Sequence, residues 1–171
     1  MSDFNSVVDG DEAELPEGRG FGEKRARKIL ERRADNVSSD DLRSLTDRLR
    51  EKVGELKDLE EGLYWIGTLI GRAKLLFGMI RDRDFRVDVS TTLLVAAGLL
   101  YFILPTDLTP DFIPGIGYID DAVVLGTLWK MVSAEVERYI GFLQDTGRAE
   151  GDLESLAFGR GATPASYTGR E

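Results

Sequence analysis

Apolar residues recur every three or four positions through the first half of the chain, at Leu42, Leu45, Leu49, Val53, Leu56 and Leu59. That period predicts an amphipathic helix with a narrow leucine stripe and charges of both signs on its other faces. Ser38-Ser39-Asp40-Asp41, just before it, supplies an N-cap and acids for the first turn. Packing against a partner helix is the default reading, and a short contact between copies of the chain is the alternative. From Gly62 to Ile80 the pattern thickens into an apolar helix interrupted near its middle by Arg72 and Lys74. A full membrane span would place both cations near the bilayer centre at roughly 2.5–3.5 kcal/mol each. A helix on a membrane surface, or packed among other helices, is therefore preferred. Gly67 and Gly71 form a G-x-x-x-G pair that permits close approach of another helix.

Arg81-Asp82-Arg83-Asp84 then breaks the apolar pattern as a polar turn. Val89 to Leu104 is the most hydrophobic run. As a helix it measures about 24 Å, short of a hydrocarbon core of about 30 Å. Pro105 stops it, and Ala122 to Val132 is apolar again, continuing as a mixed helix towards Phe142 and Leu143. Upstream, Glu23 to Ala34 is basic and carries one aliphatic pair, Ile29 and Leu30. It reads as a solvated helix, with contact to anionic lipid headgroups or RNA as the functional alternatives. Strand alternation, internal repeats and a phosphate-binding glycine loop are not found.

The net charge of −9 disfavours general nucleic-acid binding, which needs a basic surface. Cysteine and histidine are both missing from the 171 residues. Disulfides, thiolate nucleophiles, Cys/His zinc sites, Ser-His-Asp triads and Cys-His dyads are thereby excluded together. Residues 1–20 are acidic and lack the apolar core of a signal peptide. They and the Gly-rich ending at 146–171 are expected to be disordered tails.

Between the two apolar runs lies Pro105-Thr-Asp-Leu-Thr-Pro-Asp-Phe-Ile-Pro-Gly-Ile-Gly-Tyr-Ile-Asp-Asp121. Pro105, Pro110 and Pro114 fix φ and withhold donors, forcing an angular connection. Thr109 can cap a short turn that has Pro110 and Asp111 in its first positions. Gly115 and Gly117 allow backbone geometries closed to other residues. Asp120 and Asp121 fall near the start of the following helix, where negative charge meets the positive dipole end. A structural role accounts for most of these residues. The sharper alternative is a cation site in which Asp107, Asp111, Asp120 and Asp121 offer oxygen ligands of the kind Mg²⁺ or Ca²⁺ prefers. Their spacing does not match the EF-hand loop.

At Tyr101, Pro105, Asp107, Leu108, Pro110, Asp111, Ile113, Pro114, Gly117, Asp120 and Asp121 the chain resembles the bacterial DUF1232 or YkvA-like family, with Thr109 where isoleucine is usual. The resemblance covers roughly residues 88–133. It implies no defined activity, and it brings an expectation of membrane association because members are often taken for membrane proteins.

The expected architecture is all-α, with about five helices. Residues 21–84 form an amphipathic helical region. Residues 85–145 form a central apolar hairpin joined by the Pro/Gly/Asp-rich corner. Arg81, Arg83 and Arg86 precede this hairpin, Lys130 and Arg138 follow it, and 87–129 hold no lysine or arginine. By the positive-inside rule both ends would face the cytoplasm and the corner would point away or re-enter. The leading functional expectation is a non-enzymatic, membrane-associated scaffold or adaptor. Its partners would be membrane lipid and possible protein or self contacts, with no cofactor and no nucleic acid. The alternative is a soluble cytoplasmic helical protein with a divalent-cation site at the four aspartates.

Overall fold

The computed structural model describes residues 22–60, 64–103, 119–149 and 153–159. Every regular element among them is helical: α1 (Glu23–Ala34), α2 (Ser39–Glu60), α3 (Tyr64–Arg81), α4 (Val89–Ile103), α5 (Ile119–Met131), α6 (Ser133–Asp145) and α7 (Leu153–Phe158). The all-α bundle expected from the sequence is observed.

Helix α2 starts as its cap dictates. The Asp41 N–H donates to Ser38 Oγ at 3.1 Å, and the Ser38 N–H donates back to Asp41 Oδ2 at 3.0 Å. This reciprocal box satisfies two donors that the helix start would leave orphaned. The same hydrogen bonds hold the Asp41 carboxyl below the usual carboxylate range. The stripe of Leu42, Leu45, Leu49, Val53 and Leu56 is buried against α3 and α4.

Helix α3 is the spine of the bundle. It is buried without a break from Ile66 to Arg81 and packs against α2, α4, α5, α6 and α7. A helix that is apolar all round must be enclosed in this way. Arg72 and Lys74 are enclosed with it at 3% and 9% exposure, and neither is left without a partner. The Arg72 guanidinium lies 4.9 Å from the Trp129 ring centroid, a contact that offsets part of its desolvation.

Helices α4 and α5 pack side by side, so the two apolar runs do form a hairpin. Among the described residues no helix is long and apolar enough to cross a membrane. The expectation of a transmembrane helix is corrected accordingly: α4 has 15 described residues, and α5 is 13 residues long with Asp120 and Asp121 in its first turn.

Three other expectations are corrected. Helix α1 is not wholly solvated; Ala26 and Leu30 are fully buried against α4 and α5. The apolar run beyond the corner is two helices, because Val132 (φ −109°, ψ 15°) leaves the α region between α5 and α6. This break lets α6 turn Val136, Tyr139 and Leu143 into the core. Finally, within the ending expected to be disordered, Leu153–Phe158 forms α7, with Leu153 and Ala157 buried and the helix packed on α3.

Candidate functional site

The hairpin starts at a strong local signal. Asp88 caps α4: Oδ1 accepts the Thr91 N–H at 2.8 Å and the Ser90 hydroxyl at 2.6 Å, and Oδ2 accepts the Thr91 hydroxyl at 2.8 Å. Hydrogen bonding to the charged form lowers the Asp88 carboxyl to about 2. Because the folded value lies below the ordinary 3.8, the cap contributes at neutral pH and is lost as pH falls through about 2. The residue is exposed, so solvent screening limits its worth to the ordinary cap range. Asp88→Ala is expected to cost about 1 kcal/mol. Asp88→Asn should retain most of the stability at pH 7 while flattening the acid limb between about pH 4 and 2. Urea melts of both variants across that range check this.

Helix α4 then meets α1 and α5 at a glycine. A Cβ on Gly98 would overlap Leu128 Cδ2 of α5 and press Leu30 Cδ2 of α1 at 3.2 Å. Three helices converge there because the position has no side chain. One turn on, the Arg33 guanidinium of α1 sits 5.1 Å from the ring centroid of Tyr101, the first residue of the motif. At the other end of α1, Glu23 pairs with Lys130 of α5 at 3.8 Å. Helix α1 is thus a lid lying across the hairpin, tied at both ends and through the middle by Ala26 and Leu30.

Of the aspartates proposed as cation ligands, Asp120 and Asp121 lie in the first turn of α5, as expected. Asp107, Asp111, Pro105, Pro110, Pro114 and Gly117 lie outside the described residues. Among the described residues no group of three or more acidic side chains is placed to hold a metal ion. A cleft of about 230 Å³ beside α1 is lined by Arg33, Asn36, Asp41 and Arg48 with Val37, Ala97 and Leu100. Its charges oppose one another, and Asp41 is already engaged by Ser38.

Sequence reasoning missed a polar cluster at the far end of α3. Asp82, whose side chain is 4% exposed, pairs with Arg148 at 3.0 Å and accepts the Tyr139 hydroxyl at 3.1 Å. Burial, then the charge of Asp82, push the Tyr139 phenol well above its ordinary value. Arg148 reaches this site because Gly147 (φ 68°) reverses the chain after α6, where the Arg148 N–H donates to Leu143 O at 2.7 Å. The paired charges and the phenol clasp the end of α3 to α6 and to the turn that follows it.

With this geometry in view, comparison with known proteins is informative. Residues 91–127 match the family described as "Protein of unknown function (DUF1232)". Over these residues the chain is similar to DUF1232. The match spans most of α4, residues 104–118 and more than half of α5, and α1 packs against both of those helices. Over 67 residues the chain is 45% identical to the "Uncharacterized membrane protein YkvA" of Bacillus subtilis (strain 168). That alignment takes in 37% of this chain and 63% of the relative, so the likeness is to a DUF1232, YkvA-like module and not to either whole protein. No solved structure matches the chain.

Proposed function

We propose that this protein is a membrane-associated scaffold or adaptor without enzymatic activity, built around its DUF1232 hairpin. The observation that carries the reading is the coincidence of the family segment with the apolar α4–α5 pair, in a module shared with a relative named a membrane protein. The composition supports a non-enzymatic role, since no histidine or cysteine is present to serve as base or nucleophile. No described helix is both long and apolar enough to span, so the association proposed is peripheral or shallow.

The test is fractionation of the full chain expressed in a bacterial host. The expected result is recovery with membranes and release by high salt or alkaline carbonate, without detergent. Recovery in the supernatant of a low-salt lysate would sink the proposal.

A further inference from the structure

Helix α1 is the most basic element of an acidic chain. Its 12 residues hold Lys24, Arg25, Arg27, Lys28, Arg32 and Arg33 against only Glu23 and Glu31, in a protein of net charge −9. The helix buries Ala26 and Leu30, so its opposite face points away from the bundle. Lys24, Lys28 and Arg32 follow one another at intervals of four along that face, and all three are exposed. None of the ion pairs among the described residues uses these three.

The row carries a local cost. Like charges four residues apart destabilise a helix, and Lys24 stands at the positive end of the helix dipole. Among the described residues no ion pair offsets this, and the three side chains face solvent. A straight row of cations on a rigid helix fits a flat anionic surface. The acidic remainder of the chain would repel a polyanion that wraps around it, which disfavours RNA. The helix also lies directly over the DUF1232 hairpin, so engagement there brings the family module to the surface.

We infer that the Lys24–Lys28–Arg32 face of α1 is a docking surface for anionic phospholipid headgroups. The inference rests on the membrane reading above and assigns its contact to α1, not to insertion of the hairpin.

The experiment is co-sedimentation of the full chain with vesicles of phosphatidylglycerol and phosphatidylcholine, or of phosphatidylcholine alone, at low and high salt. Wild-type protein is expected to bind the anionic vesicles only and to be released as salt rises. Neutralising three cations in Lys24→Gln/Lys28→Gln/Arg32→Gln should weaken the partition coefficient by about a hundredfold. The charge-keeping variant Lys24→Arg/Lys28→Arg/Arg32→Lys should bind like wild type, with unchanged circular dichroism in both. Equal binding of wild type and the neutralised variant would overturn this inference but leave membrane association standing. Binding to neither vesicle, with the protein also soluble in lysate, would remove both. Tight binding to a single-stranded RNA oligonucleotide with none to anionic vesicles would overturn it in favour of nucleic acid.

Discussion

Arg81→Met is expected to destabilise the protein by about 3 kcal/mol and to release α7 from the bundle. Arg81 is 8% exposed and ends the enclosed helix α3. Its Nη1 donates to the carbonyls of Leu156 and Ala157, both at 2.9 Å. These belong to the last turn of α7, where carbonyls have no partner within the helix. A cation there satisfies them and complements the negative end of the dipole. Burial lowers the Arg81 pKa, and the neighbouring Asp82 charge partly opposes that effect. Methionine keeps much of the stem and none of the donors, so buried carbonyls are left unsatisfied. Helix α7 has six residues, too few to stand alone, so it survives only while docked. Phe158 leaves with it, giving up contacts to the Phe77 ring at 6.0 Å and the Arg50 guanidinium at 5.0 Å. Arg81→Lys should fall between, since one ammonium reaches two carbonyls less well than a planar fork. Urea denaturation measures the loss, and limited proteolysis reports exposure of α7. An Arg81→Met protein with wild-type stability and an equally protected α7 would refute this role.

The Arg81–α7 contact also lies beyond what the sequence makes legible. The Ser38 cap and the leucine stripe of α2 were legible because both signals are local: a capping box spans four residues, and an amphipathic period repeats every turn. Pairing of α4 with α5 was legible because two apolar runs separated by a proline-rich corner have few other ways to hide. The position of Asp120 and Asp121 at the start of α5 followed from the same reasoning. The burial of α1 was not legible. Ala26 carries almost no hydrophobic signal, and Leu30 is seated beside Gly98, in a gap that only the assembled hairpin creates. Helix α7 was hidden for a related reason. Its six residues sit in a Gly-rich ending, and the group that holds them lies 75 residues earlier, in what reads as a polar turn. The Asp82–Tyr139 bond joins positions 57 apart. Such contacts have no periodicity, so no pattern within one segment announces them.

Gly98→Val is expected to cost about 3 kcal/mol through overpacking and to loosen α1 from the hairpin. The glycine sits inside a helix, where it is worse than alanine by roughly 1 kcal/mol on propensity alone. In open space, therefore, Gly98→Ala would be stabilising. Here the added Cβ overlaps Leu128 Cδ2, and Leu128 is fully buried with its Cγ only 3.4 Å from the new atom. Leu128 cannot swing into solvent, so either its rotamer or the α4–α5 distance must change. Leu30 Cδ2, at 3.2 Å, closes the other side. Gly98→Ala is thus expected to lose about 1 kcal/mol net, and valine more, because its two methyls add further volume between Leu128 and Leu30. Leu128→Ala alone should cost about 3 kcal/mol by leaving a cavity. Combined with Gly98→Ala it should cost less than the sum by over about 1 kcal/mol, because the alanine methyl then has room. Thermal or urea melts of the four proteins close this cycle. Stabilisation by Gly98→Ala at the full propensity value would show that the three helices do not meet as tightly as described. Because Leu30 anchors α1, the valine variant should also open α1 to trypsin at Arg25 and Arg27. Its basic row would then be held on a less rigid helix, and binding to anionic vesicles should weaken with every cation still in place.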